Sequence, residues 1–594
     1  MNMFLHNYPT ATIRPGNTLA APQFFADDGS LKTFDYVVAN PPFSDKRWGN
    51  GVDPADDPHD RFTLGVPPPR QGDYAYLLHI VRSLKRHGKG ACILPHGVLF
   101  RGNAEAAIRR NLVDRGYLKG IIGLPANLFY GTGIPACIVI LDKENASTRR
   151  GIFLIDASKG FLKDGPKNRL RSMDIHRIVD VFNRREDVPG FSRMVGLEEI
   201  QQNGYNLNLP RYIDSLERED AQDIEGHLRG GIPKADIDSL ERFWTVWPGL
   251  RDALFQPVRS GYVCLSASPG QLKPAIAAHP EFAAYADRMA ALFVDWRIHA
   301  AVTLRALGQG CHPKAVIGKL SESLLQHYTG RQLVDRYDVY QHLMDYWAEA
   351  LSDDCYLIAA EGWKAEPVPN AKGKGWSCDL IPKRLIVARY FAAGQAAVNG
   401  LEAEAEALAA QIAELEEEHG GDEGILGSLG KPYKKTARVR LDEMIDDVVE
   451  KMDRAEKTRR KKGTPVVKNF LELLDLDESE EGTMLTQYLD LLTAEAAAWK
   501  AWARGDAALD LACFSKYAEL SVDEIKTLVV DDKWLATVQA DVLGEMNRVR
   551  EALTRRVRQL HDRYRTPLPA LTAEVEALEA KVHAHLERMG FAWQ

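Results

Sequence analysis

The run FDYVVA, residues 34–39, passes directly into Asn40, Pro41, Pro42 and Phe43. No other stretch of the 594-residue chain constrains the fold as tightly. The β-formers predict a short buried strand, and the prolines end it because neither has an N–H to give to a sheet ladder. Asn40 therefore stands at the carboxyl edge of a strand, and in open parallel α/β sheets ligands bind in the crevice outside that edge. Pro42 restricts Pro41, and Pro41 restricts Asn40, to extended or polyproline geometry, which fixes the direction of the Asn40 carboxamide and of the carbonyl beside it. Phe43 projects from the same stiff turn. A carboxamide, a free carbonyl and a flat ring held together suit a planar group bearing an amino function. The competing reading is a strand-ending turn without chemistry, because an adjacent proline pair is expected about once in a chain of this length. An Asn or Asp before the pair and an aromatic after it reduce chance occurrence to roughly one such chain in a hundred.

From Lys32 to Phe161 strand and helix patterns alternate. FDYVVA, GACILP, YLKGIIGLP, PACIVILDK and GIFLIDAS read as strands. DYAYLLHIVRSLKRHG reads as a helix with Tyr76, Leu77, Ile80, Val81 and Leu84 on one face, ended by Gly88, and AEAAIRRNLVDRG as the next helix. This alternation predicts right-handed βαβ units on a mostly parallel sheet, with IIGLP and PACIVIL as a hairpin at one edge. Asp73, at the start of the first helix, is expected to cap it.

Beyond Asn168 helical patterns dominate. LEAEAEALAAQIAELEEEHGG sets Leu401, Ala405, Leu408, Ile412 and Leu415 at heptad spacing, and the last helix repeats the device with Leu571, Val575, Leu578, Val582 and Leu586. Each stripe is either intramolecular core or a docking face for a partner. KPYKKTARVR and DRAEKTRRKKGTPVVK, within 431–468, are basic; they read as solvated loops or as phosphate-contacting segments.

At this length about three or four structural units are expected. A hydrophobic content of 45% and a charged content of 27% are those of an ordinary globular chain. No apolar run reaches the roughly 18 residues of a membrane span, and MNMFLHNYPTATIRPGN lacks the basic and apolar regions of a secretory signal. The seven cysteines form no CxxC pair and read as reduced thiols of a cytoplasmic protein. The net charge of −8 does not advertise nucleic-acid binding, so a chain working on DNA needs a local basic patch or a partner for its grip. Asp353 and Asp354 have no His or Cys at ligand spacing, and no metal is expected.

The consecutive pieces MNMFLH, GNTL, FDYVVANPPFSDKRW, LPHGVLFRG, IIGLPANLFYGTGIP and FLIDAS resemble the modification (M) subunit of type I restriction-modification systems, which are N6-adenine DNA methyltransferases. YNLNLPRYID, YDVYQHLMDYW, IKTLVVDDKW and HLERMGFAW extend the resemblance along most of the chain. It implies a partial Rossmann-like methyltransferase sheet, an α/β fold, followed by a large mainly α-helical C-terminal region. The implied organisation is a partial catalytic domain over 1–165, a connecting segment over 166–240 and a helical domain over 241–395. A coiled-coil-like helix over 396–430, a basic linker with helices over 431–510 and a helical docking tail over 511–594 complete it. The resemblance further implies S-adenosylmethionine as methyl donor and DNA, a specificity (S) subunit and a restriction (R) subunit as partners, with room for a second M subunit.

Carried onto this sequence, the Asn40 side-chain oxygen and the Pro41 carbonyl accept the two N6 hydrogens of a flipped-out adenine, Pro42 stiffens the turn, and Phe43 stacks on the base. Phe129, in NLFYGT, matches the place of a second aromatic, although a core role fits it nearly as well. His96 matches a family position and reads more simply as a structural histidine.

The resemblance departs at the cofactor site. The family's Gly-rich loop, DPxxGxGG, and the acidic residue after it have no counterpart in this sequence. Asn17 and its neighbours remain as candidates to touch the adenine ring of the donor. The expectation is an amino-terminally shortened M subunit, inactive alone. The alternatives are a non-catalytic assembly fragment of the same complex and a protein glutamine methyltransferase, whose Asn-Pro-Pro-aromatic turn serves a planar amide.

Overall fold

The computed structural model describes residues 3, 8–215, 221–370, 375–421, 424–462 and 476–591. Two compact units are formed, one from residues 1–296, 319–345 and 541–594 and the other from 297–318 and 346–540. No helix among the described residues is long and apolar enough to cross a membrane.

The first unit is built on a six-stranded sheet. Its strands are β1 (Phe34–Ala39), β2 (Leu84–Pro95), β3 (Leu118–Gly123), β4 (Ala136–Asp142), β5 (Gly151–Asp156) and, after a small β6–β7 hairpin (Leu162–Asp164 and Lys167–Arg169), β8 (Ser192–Gly196). The spatial order is β1-β2-β4-β3-β5-β8. Only β1/β2 and β3/β5 are parallel pairs; β2/β4, β3/β4 and β5/β8 are antiparallel. The sheet is thus mixed rather than mostly parallel, and the β3–β4 hairpin lies at its centre instead of its edge. The reason is the composition of β4. Cys137, Val139 and Leu141 enter the core on one face, and Ile138 and Ile140 pack on the other. A strand apolar on both faces is stable only when covered on both. The sixth strand comes from 192–196, beyond the expected catalytic boundary at 165.

Helices α1 (Asp73–Ser83) and α2 (Asn103–Asp114) pack on the first face, and α3 (Ser172–Arg184) covers the second with Ile178, Val181 and Phe182. α1 ends at Ser83, five residues before Gly88, because Leu84 is already extended and begins β2. Gly88 has another task. A Cβ there would lie 2.9 Å from the Phe34 carbonyl, so glycine lets β2 approach β1.

In the second unit, α4 (Ala392–His419), α5 (Tyr433–Lys462) and α6 (Leu476–Tyr517) pack together. Ile412 of α4 is buried with Met444 of α5 and with Leu485 and Tyr488 of α6, so the first heptad stripe is intramolecular core. The basic stretch from Tyr433 is helical, not a loop, and Arg440 pairs with Glu481 at 2.9 Å; its end at 463–468 lies outside the described residues. Asp354 accepts from Lys533 Nζ and Trp534 Nε1, both at 2.7 Å, which identifies it as the partner of a buried ammonium. The second stripe differs. On α7 (Leu568–Arg588), which belongs to the first unit, Leu571, Val575, Leu578 and Val582 are 44–54% exposed.

His79 of α1 lies 3.3 Å from the Thr18 hydroxyl, tying the helix to the GNTL segment. Burial pulls its imidazole down to about 4, and the Arg61 and His59 charges act in the same direction. The unfolded ring takes its proton near 6.5 and the folded ring only near 4. The stabilisation is complete above pH 6.5 and is lost as pH falls toward 4. Thermal midpoints over that window are expected to drop on acidification, and His79→Gln is expected to flatten the slope.

Candidate functional site

Asn40 follows β1 at the carboxyl edge of the sheet and is exposed. Its carboxamide and the Pro41 carbonyl make no hydrogen bond among the described residues. Pro41 is buried beneath the turn, Pro42 is exposed and Phe43 is half-buried. The Phe43 ring meets Phe129 edge-on, with centroids 5.8 Å apart and planes at 76°, a favourable arrangement of the two ring quadrupoles. Phe129 rides on the β3–β4 loop, where Asn127 and Gly131 adopt φ of 55° and 78°. The β6–β7 hairpin props that loop. Lys167 Nζ donates to the Phe129 carbonyl at 2.7 Å and to the Thr132 carbonyl at 3.1 Å, and Asn168 Nδ2 donates to the Ala126 carbonyl at 2.7 Å. Beside it Tyr130 is 96% exposed.

The turn after Phe43 is held from below by Asp73. This residue does not cap α1: Gly72 takes the cap position, and Asp73, fully buried, reaches back across the chain. The Ser44 N–H donates to Asp73 Oδ1 at 2.7 Å, where Ser44 itself is left-handed with φ of 53°. Arg101 Nη1 donates to Asp73 Oδ2 at 2.9 Å and to Glu105 at 3.3 Å. Burial pushes the Glu105 carboxyl upward, although Arg101 opposes the shift. The Gly72 N–H donates to the Asp45 carbonyl at 3.0 Å, and the Tyr76 hydroxyl donates to the Asp45 carboxylate at 3.0 Å. Burial, assisted by that carboxylate, pushes the Tyr76 phenol up to about 12. Gly72 is required because a Cβ there would sit 2.8 Å from Trp48 Cβ. The buried Asp73 carboxylate thus holds the Ser44 N–H, and the Gly72 N–H at the start of α1 holds the Asp45 carbonyl, so the SD end of the NPPFSD turn is fastened at two peptide groups.

The remaining candidates fall around this turn. Asn17 does not present its whole amide, because Oδ1 accepts from the Leu19 and Ala20 N–H groups at 3.0 and 3.1 Å. The Nδ2 side remains available. His96, at the end of β2, has a buried Nε2 without a partner among the described residues, and burial lowers the basicity of the ring. Sequence reasoning missed the Asp73–Arg101 clamp and the Lys167 prop. Each bond joins segments 28 to 38 residues apart, and no local spacing announces such a pair.

Replacing Asp73 with Ala leaves Arg101 with Glu105 as its one carboxylate partner among the described residues and the Ser44 N–H without an acceptor. Removing one member of a buried pair costs about 3 kcal/mol. Urea unfolding of Asp73→Ala is expected to show a loss of that size.

Residues 1–221 match the family model described as N-6 DNA Methylase. The type I restriction enzyme MpnII methylase subunit of Mycoplasma pneumoniae is 31% identical over 231 residues, covering 38% of this chain and 42% of that protein. The MjaVII methylase subunit of Methanocaldococcus jannaschii is 33% identical over 240 residues, covering 38% and 40%. A solved type I restriction-modification system methyltransferase subunit from Streptococcus thermophilus is 40% identical, with a TM-score of 0.34, over 36% of this chain and 45% of that one. The chain spans less than half the length of the curated relatives it matches. Over residues 1–221 the chain is similar to N-6 DNA methylases, and the curated relatives it resembles are methylase subunits of type I restriction enzymes.

Proposed function

We propose that the chain acts as the modification subunit of a type I restriction-modification system, methylating N6 of an adenine flipped out of duplex DNA with S-adenosylmethionine as donor. The observation that carries this reading is the unbonded Asn40 carboxamide beside the unbonded Pro41 carbonyl, at a strand end within the matched segment. An exocyclic amine has two N–H groups, and two fixed acceptors hold both while leaving the nitrogen lone pair directed outward. N6 is out of reach inside the stack, so the base must leave it. Phe43 then offers a stacking face worth about 1–3 kcal/mol. Phe129, edge-on to Phe43, fixes the plane of that face. Positioning and exclusion of water carry such a transfer without a general base.

The described residues fit the methyl donor on one side only. β1 is the edge strand, with Tyr36 and Val38 75% and 79% exposed, so the crevice beside Asn40 is walled by β2 and not opposite it. Asn17 offers its Nδ2 alone. No residue is therefore assigned to the donor beyond Asn17, and its binding by this chain alone is expected to be weak. In this reading the protein works in the cytoplasm. The exposed stripe of α7 docks on the specificity subunit, and the restriction subunit and a second modification subunit join the same assembly. That stripe also favours a second reading, an assembly component without turnover.

Label transfer from S-adenosylmethionine to duplex DNA, alongside calorimetric titration of the donor, separates these readings. Methylation of DNA is expected to fall on the order of a hundredfold in Asn40→Ala, since misplacing the reacting group is that costly, while the melting temperature stays unchanged because Asn40 is exposed. Neither heat nor transfer would leave the assembly reading; transfer to peptide glutamine instead of DNA would overturn both.

A further inference from the structure

Within the first unit, two cavities of about 750 and 530 Å³ share Thr245, Gly330, Arg331 and Gln332 and so form one open groove. Six arginines line it: Arg177 and Arg184 from α3, with Arg242, Arg288, Arg331 and Arg336. Only Glu186 and Asp335 oppose them among the lining residues. Arg184 and Arg336 divide the Asp180 carboxylate between them, each at 3.0 Å. The other four pair with no carboxylate among the described residues. Arg177 lies 4.4 Å from the Phe191 ring centroid and Arg242 4.5 Å from that of Phe243. A guanidinium resting on a ring keeps its fork of N–H donors free for a phosphate. Arg331 is carried into the groove by a loop in which Gly330 has φ of 72° and Leu333 has φ of 66°. A leucine held in the left-handed region is strained, and such strain persists where the surroundings over-determine the backbone, often at ligand sites.

We propose that this groove grips the phosphodiester backbone of duplex DNA. The inference rests on the DNA reading above and adds to it a contact surface apart from the Asn40 turn. Arg177 and Arg184 stand seven residues apart on one helix face, about 10 Å along the axis. One small anion does not reach both, whereas a run of phosphates does. The groove also resolves a conflict in the sequence. A chain of net charge −8 meets a polyanion unfavourably unless its cations are concentrated in one place.

The test is anisotropy of a short labelled duplex against the full chain, the double variant R242Q/R331Q and the control R86Q, over a salt series. All three substituted arginines are exposed, and thermal melts check that the folds match. The slope of log K against log salt is expected to flatten by about 2 in the double variant, with affinity weakened at least about tenfold in 0.1 M salt, and to stay unchanged in R86Q. Equal slopes in wild type and double variant, an equal loss in R86Q, absence of duplex binding by the wild type, or displacement of the duplex by nucleoside triphosphate at matched phosphate concentration would each overturn the proposal. Loss of methyl transfer with this binding pattern intact would instead count against the catalytic reading alone.

Discussion

The arrangement of the NPPFSD turn depends on one buried carboxylate. Asp73 has no exposure, and its two oxygens face different strangers: the Ser44 N–H on one side and the Arg101 guanidinium on the other. A bare carboxylate is costly to bury, and the penalty is offset here only because both oxygens are bonded. The left-handed Ser44, the position of Phe43 above it and the course of the FRG segment are consequently one unit. Prolines alone stiffen the backbone around Asn40. The clamp sets where that stiff piece sits on the sheet.

A second layer of support works from the opposite side. The β3–β4 loop carries Phe129 against Phe43, and the small β6–β7 hairpin holds the loop through Lys167 and Asn168. The aromatic pair is thus suspended between two scaffolds that touch different parts of the sheet: α1 with the start of α2, and the hairpin that precedes α3. A planar ligand inserted beside Phe43 meets a face whose tilt is set by both.

Much of this was legible beforehand. Strand identities followed from short apolar runs, and the end of β1 followed from prolines that cannot pair. The order of strands did not follow, although PACIVILDK carried the clue: apolar residues at consecutive positions demand cover on both faces and hence a central place. Gly88 and Asp73 were misread for a common reason. Each looks like a helix terminator or cap in its local sequence, and each is fixed by a contact with a distant segment, Phe34 for one and Ser44 with Arg101 for the other. The two heptad stripes show the limit of periodicity. Nearly the same pattern is core in α4 and bare in α7, because spacing records which face is apolar and not what lies against it.

The free edge of β1 has a bearing on how the protein behaves at high concentration. Among the described residues β1 pairs only with β2, so its outer edge offers N–H and C=O groups to an extended segment, and Tyr36 and Val38 add an apolar face to that offer. Asp35, held by Lys85 at 2.8 Å, is the charge that stands guard along this strand. The strand that carries Asn40 at its tip therefore also carries, in Asp35, the charge that opposes the addition of a further strand along the rim of the sheet.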